Sequence, residues 1–297
     1  MQRKDFTDPF GGKPGVFFFT SSHLEIQMLF RNDNDFKYGV NSLAACLIGS
    51  SCSLLCYCLM SNHMHLLLYG TYKNCLAYYD HLIKRLSMWL SKERGITGLL
   101  RHNDVDIQAI TDVRQLRNVA LYTIRNPYRA RVASPLSYKW SSADVYFSNA
   151  HNLEYGQVLS DLPVLEVRRL LANKARCPKT YRMHDGVVLN RCFVDHKRVE
   201  KAFGDALTFY DSLRVYDLES AVKLSFGRAE SITFTDQQLM EFTKTICEKE
   251  FHVESVAQLD KKARFLLARK LSRRYGAGKK QLSRLTGITQ DDLDRLL

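Results

Sequence analysis

Between Tyr38 and Tyr72 the chain carries no Asp, Glu, Lys or Arg. A charge-free run of this length can cross a bilayer as a helix. Here Gly49-Ser50-Ser51 breaks it, Asn62, His63 and His65 interrupt it, and Ser51 to Met60 is β-like. The run therefore reads as the end of a helix followed by two adjacent buried strands, the pattern of the centre of a sheet covered by helices. No membrane span is expected. No signal peptide is expected either, because Met1 to Asp8 is polar and has no apolar h-region.

The flanking patterns give an order of elements. Val16 to Ser21 reads as a strand after the Gly11-Gly12-Lys13-Pro14-Gly15 loop. Asp35 to Leu47 reads as a helix. Ser53 to Met60 and Met64 to Tyr69 read as a hairpin turning at Ser61-Asn62. Lys73 to Arg94 is a long amphipathic helix with Leu82, Leu86, Trp89 and Leu90 at helical spacing, ending before Gly95. Val105 to Ile110 is a short strand. Asp112 caps a further helix expected to reach about Arg125, because Pro127 disfavours helix at Asn126. The order β-α-β-β-α-β plus a helix predicts an α+β fold, a ferredoxin-like antiparallel sheet with helices on one face.

In a strand the side-chain period of 2 puts His63 and His65 on one face and Met64 on the other. Two imidazoles fixed on one face can bind one metal ion, and they can equally be a packed or hydrogen-bonded pair. On the last helix Tyr122 and Asn126 are four apart and share a face. Val113, Leu116, Ala120 and Ile124 form the face expected against the sheet, which leaves Tyr122 and Asn126 directed away from it. Arg114, Arg117, Arg125, Arg129 and Arg131 lie around them, with no acid between Val113 and Arg131. A tyrosine among guanidiniums is suited to meeting a phosphate. The same residues also fit a solvated helix face that ends at a proline.

Charge points the same way. Lys plus Arg number 43 against 31 Asp plus Glu, a net +12 that favours a polyanionic partner such as nucleic acid. The excess is densest between Asp260 and Arg284, where ten basic residues stand with one acid. Lys261 to Tyr275 and Lys279 to Leu285 read as helices around Gly276-Ala277-Gly278. After Gly287, Thr289 caps a third helix to Leu297. This is a helix-turn-helix-like pattern in which Lys279 and Lys280 are candidate DNA contacts. The expected division is a sheet domain at 1–150, a mainly helical connector at 151–255 and the basic module at 256–297. The cysteines form no Cys-x-x-Cys pair and read as reduced, buried small hydrophobes; Cys52, Cys56 and Cys58 are expected on one strand face by parity.

Three segments together resemble a known family. Met60-Ser61-Asn62-His63-Met64-His65-Leu66-Leu67-Leu68 resembles the His-apolar-His signature of the single-tyrosine HUH transposases. Tyr122-Thr123-Ile124-Arg125-Asn126-Pro127-Tyr128-Arg129-Ala130 is similar to their tyrosine segment, and Tyr138-Lys139-Trp140-Ser141-Ser142 with Tyr146 to the Trp-Ser-Ser segment that follows it. Order and spacing resemble the REP-associated tyrosine transposases over about residues 10 to 150. Ser61 stands where that family usually has Pro, and Tyr128 and Arg131 where it has Val and Gly.

The resemblance implies an HUH endonuclease fold and a metal-dependent single-stranded DNA endonuclease and strand transferase. Tyr122 would be the nucleophile that leaves a 5′-phosphotyrosine. His63, His65 and Asn126 would hold one Mg²⁺ or Mn²⁺. The substrate would be single-stranded or hairpin DNA, with Tyr128 and Trp140 as candidate stacking groups, although Trp140 suits a core equally well. No small-molecule cofactor is implied, the protein would be a cytoplasmic, nucleoid-associated monomer or homodimer, and Tyr122 can serve its own or a partner's histidines. The alternative is a non-catalytic, sequence-specific DNA-binding regulator on the same fold. An RNA-binding protein of RRM type would share the element order, but no RNP-like segment is present.

Overall fold

The computed structural model describes residues 6–22, 28–95, 97, 100, 104–148, 155–171, 177–214, 236–275 and 277–294. Strands β1 (Gly15–Ser22), β2 (Ser53–Leu59), β3 (Met64–Gly70) and β4 (Asp104–Ile110) form one antiparallel sheet in the order β2-β3-β1-β4. β1 is central: Phe18 lies opposite Leu67 and Gln108, and Thr20 opposite His65 and Asp106.

Successive β1 residues serve opposite layers. Phe19 stacks on Tyr79 of helix α2 (Tyr72–Arg94) at 5.3 Å between ring centroids, and Tyr78 of α2 donates to the Leu43 carbonyl of α1 (Asp33–Leu47). Phe18 points the other way, onto Tyr122 of α3 (Val113–Arg129). Helices α1 and α2 therefore cover one face and α3 the other. The expected single helical layer is a sandwich, because the charge-free strands are apolar on both faces and each face needs a cover. Local signals end these helices as the sequence implies. Asn32, Thr71 and Asp112 accept from the backbone of Asp35, Asn74 and Gln115, and Gly95 closes α2 at φ 64°.

β2 is an edge strand, not a central one. Its outer edge is closed by later backbone: Leu59 N donates to the Trp140 carbonyl, Ser142 N to that of Tyr57, and Asp195 N to that of Leu54. This closure keeps an uncharged edge strand out of water. A bulge between Leu54 and Cys56 shifts the register and breaks the expected parity of the cysteines. Cys56 lies against the Ala120 carbonyl of α3, whereas Cys52 lies beside Gly70 and Cys75 of the α2 layer. All eight cysteines are free.

α3 runs past Arg125 to Arg129 with Pro127 inside it. A proline this close to the C-terminus removes one backbone bond only. The turn beyond it is kept by Ala130 N donating to the Asn126 carbonyl and Val132 N to that of Pro127.

Residues 155–171 and 177–214 pack into the same core. They contribute helices α4 (Val164–Leu171), α5 (His196–Phe203) and α6 (Ala206–Arg214). They also contribute a small sheet of β5 (Gln157–Val158), β6 (Arg182–His184) and β7 (Val187–Val188). Leu159, Tyr181, Val188, Val194, Phe203 and Phe209 belong to one apolar cluster with Phe17, Leu66 and Ile124. A second cluster joins α7 (Asp236–Glu250), α8 (Lys261–Tyr275), α9 (Lys279–Thr286) and α10 (Gln290–Asp294) through Leu239, Ile246, Leu267, Leu271, Leu282 and Leu293. The expected tail helices are α8, α9 and α10, with Gly287 at φ 70° between the last two. The end of the third, 295–297, lies outside the described residues. α7 packs with them. Among the described residues no helix is long and apolar enough to cross a membrane.

Candidate functional site

His63 ends the tight turn and His65 lies in β3, directly across from Thr20. Their rings stand nearly perpendicular, 4.8 Å between centroids. Both are buried, His63 at 4% and His65 at 0% exposure. Asn126 of α3 comes down on them. Its Nδ2 lies 2.8 Å from His65 Nε2 and its Oδ1 3.3 Å from His63 Nε2. Asn126 is itself buried, and Tyr122, one turn earlier, is half-buried. The Tyr122 ring meets His65 edge-on at 5.4 Å and Phe18 at 6.2 Å.

Tyr122 and Asn126 thus face the sheet, not away from it as their sequence pattern implies. Ala120 and Ile124 are buried as expected, but Val113 is 55% exposed. The helix sits on a sheet face that includes the two histidines, so its polar pair is drawn inward to meet them.

The outer nitrogens are tethered as well. His65 Nδ1 lies 3.3 Å from Thr20 Oγ1, and His63 Nδ1 lies 2.7 Å from Asn62 Oδ1. Thr20 and Asn62 carry no metal-binding pattern in the sequence; only cross-strand register and the turn bring them to the rings. Burial first, then the neighbouring His63 and Arg129, hold the His65 pKa well below its ordinary 6.5. A buried neutral imidazole is a competent metal ligand.

Two imidazole nitrogens and one carboxamide oxygen can serve as donors to a divalent cation. An octahedral ion with bonds of about 2.1 Å has neighbouring ligands roughly 3 Å apart, and Asn126 Oδ1 lies 3.3 Å from His63 Nε2, whereas Asn126 Nδ2, 2.8 Å from His65 Nε2, is a hydrogen-bond donor and no ligand. His63 has an amide oxygen at each ring nitrogen, Asn62 Oδ1 at Nδ1 and Asn126 Oδ1 at Nε2, so a neutral ring places one lone pair against another. Two lone pairs facing one another call for a proton or a cation between them. Among the described residues no three His, Cys, Asp or Glu side chains gather as a ligand set, so the candidate depends on the carboxamide as its third member.

The five arginines do not form one cluster. They are distributed along α3 and just past its end, about 25 Å at the helical rise. Arg129 is placed on the tyrosine, its Cζ 5.0 Å from the Tyr122 ring centroid. Arg125 is buried and lies 5.8 Å from the exposed Tyr128 ring. Arg117 donates to the Ala202 carbonyl and covers Phe203, so it ties α5 to α3. Arg114 and Arg131 are exposed, and Arg131 takes a left-handed φ of 56°. Lys279 and Lys280 are exposed in the first turn of α9. Trp140 is 9% exposed and stacks on Phe36 at 5.1 Å, a core position.

No family model matches the chain, and no curated protein matches it. Among solved structures the chain is similar, distantly, to that of a REP-associated tyrosine transposase bound to a REP hairpin: TM-score 0.37 and 13% identity, over 48% of this chain and 82% of that one.

Proposed function

We propose that the chain is a metal-dependent single-stranded DNA endonuclease and strand transferase acting on hairpin-forming DNA through Tyr122. The observation that carries this reading is the Asn126 carboxamide set between His63 Nε2 and His65 Nε2 with the Tyr122 ring against His65. His63, His65 and Asn126 hold one Mg²⁺ or Mn²⁺ in this reading. When bound, the cation supplies Lewis acidity toward a phosphoryl oxygen.

The rest is done by the chain. Tyr122 Oη gives up its proton and forms a bond to phosphorus, the P–O3′ bond breaks, and the 3′ oxygen takes up one proton in exchange and leaves as a hydroxyl. The bond energy is kept in the 5′-phosphotyrosine, so the 3′-OH of a second strand can reverse the step and rejoin. Arg129, over the Tyr122 ring, offsets phosphate charge at the point of attack. Tyr122 is half-buried, so the scissile phosphate must be unpaired to reach it. The exposed Arg114, Arg131, Lys279 and Lys280 are assigned to backbone phosphates of the flanking DNA.

The test is denaturing electrophoresis of the protein mixed with labelled hairpin DNA and Mn²⁺. The expected result is a band carrying both protein and label, lost in Tyr122→Phe while hairpin binding survives. Binding without any adduct in the unmodified protein would favour a non-catalytic DNA-binding regulator, and an adduct undiminished in Tyr122→Phe would remove Tyr122 from the reaction.

A further inference from the structure

We infer that Cys52 and Cys75 form an oxidisable thiol pair, which hydrogen peroxide converts to a disulfide at the base of the β2–β3 hairpin. The inference is independent of the function proposed above.

Strand register and a helix start bring the pair together. Ser53 lies opposite Tyr69, so Cys52, just before β2, comes level with Gly70 at the end of β3. α2 begins at Tyr72, and Cys75 N donates to the carbonyl of its cap residue Thr71, which sets Cys75 in the first turn. Gly70 makes the room for both side chains. A Cβ at that position would stand 3.1 Å from Cys52 Cβ and 3.3 Å from Cys75 Sγ. A side-chain hydrogen bond joins the two cysteines.

Their surroundings divide the roles. Cys52 is half-buried, and Ser50 Oγ lies 3.1 Å from its sulfur. The bond to Cys75 first, then that to Ser50, holds the Cys52 pKa below its ordinary 9.0 against the opposing effect of burial. Cys75 is fully buried, and the bond to Cys52 together with burial pushes its pKa up. A more acidic, accessible thiol next to a resolving thiol is the arrangement of a redox-sensitive cysteine. In the first step the Cys52 thiolate attacks one peroxide oxygen and the O–O bond breaks. Cys52 becomes a sulfenic acid, and the other oxygen leaves as water with the proton the thiol had released. In the second step the Cys75 sulfur gives up its proton and attacks the Cys52 sulfur. The S–O bond breaks, and the hydroxyl leaves as water with that proton. The two thiols lose two electrons and the peroxide gains them. The bridge closes a loop that contains the whole hairpin, with His63 and His65 at its far end.

Mass spectrometry of the full chain tests this after treatment with hydrogen peroxide, removal of the excess with catalase, unfolding and alkylation. The reduced protein takes up eight alkyl groups, one for each cysteine. The treated protein is expected to take up two fewer. Lys73 separates the two cysteines, so a tryptic digest should contain two peptides joined through Cys52 and Cys75, which dithiothreitol splits. Cys75→Ser should stop at a sulfenic acid on Cys52 that dimedone traps. Cys52→Ser should keep all its remaining thiols alkylatable. Eight alkyl groups after peroxide, a cross-link between other cysteines, or dimedone on Cys75 in Cys52→Ser overturns the inference.

Discussion

At the scale of single residues, two aromatic side chains that look alike in sequence do different work. Tyr128 is 44% exposed, whereas Trp140 is buried against Phe36. Trp140→Ala should therefore act on stability, lowering the unfolding free energy by about 3–5 kcal/mol, with hairpin affinity per folded molecule unchanged. Urea unfolding and a binding titration read the two effects separately. A weakened affinity with unchanged stability would return Trp140 to the DNA surface. The pairing of His63 with His65 was legible because strand parity depends on nothing beyond the strand. The contact of Thr20 with His65 was not, since a cross-strand neighbour is invisible until the register is known.

At the scale of elements, α3 shows where local rules give way. Pro127 set an end at Arg125, yet the helix continues to Arg129 and carries the guanidinium that covers Tyr122. Hydrophobic periodicity placed Ala120 and Ile124 on the sheet but also placed Val113 there, and it turned Asn126 outward. The polar pair faces inward because the sheet face beneath it is polar at the histidines. The start of the helix followed its sequence signal: the Asp112 carboxylate accepts from Gln115 N at 2.8 Å. Asp112→Ala should cost about 1 kcal/mol and fray the first turn. Tyr122 lies beyond that turn, so adduct formation should persist. Loss of the adduct at unchanged helicity would show that the cap does more than hold the helix start.

At the scale of the whole molecule, the two large apolar clusters among the described residues, one around the sheet and one among α7 to α10, point to more than one unfolding transition. The second cluster contains a buried ion pair. Asp236 meets Arg284, and it also accepts from Gln281 Nε2 at 3.1 Å. Removing one partner strands the other charge away from water, so Asp236→Ala should destabilise these helices by about 3–5 kcal/mol. Amide hydrogen exchange should quicken across 261–286 and stay slow in β1 and β3. Uniform acceleration through both regions would mean that the clusters unfold as one. The composition made a basic tail legible, but not the recruitment of α7 into it, because its few apolar residues gain meaning only from the helices they meet.

The closure of β2 governs how this sheet can grow. Any chain seeking to add a strand on that side finds the carbonyls of Leu54 and Tyr57 and the amide of Leu59 already taken by the protein's own backbone. Among the described residues β4 pairs with β1 alone, so edge-to-edge assembly or aggregation would have to begin there. Asp106 stands on that strand, and a charge on an edge strand discourages such pairing. The protein thus guards one margin of its sheet with covalently attached backbone and the other with a carboxylate.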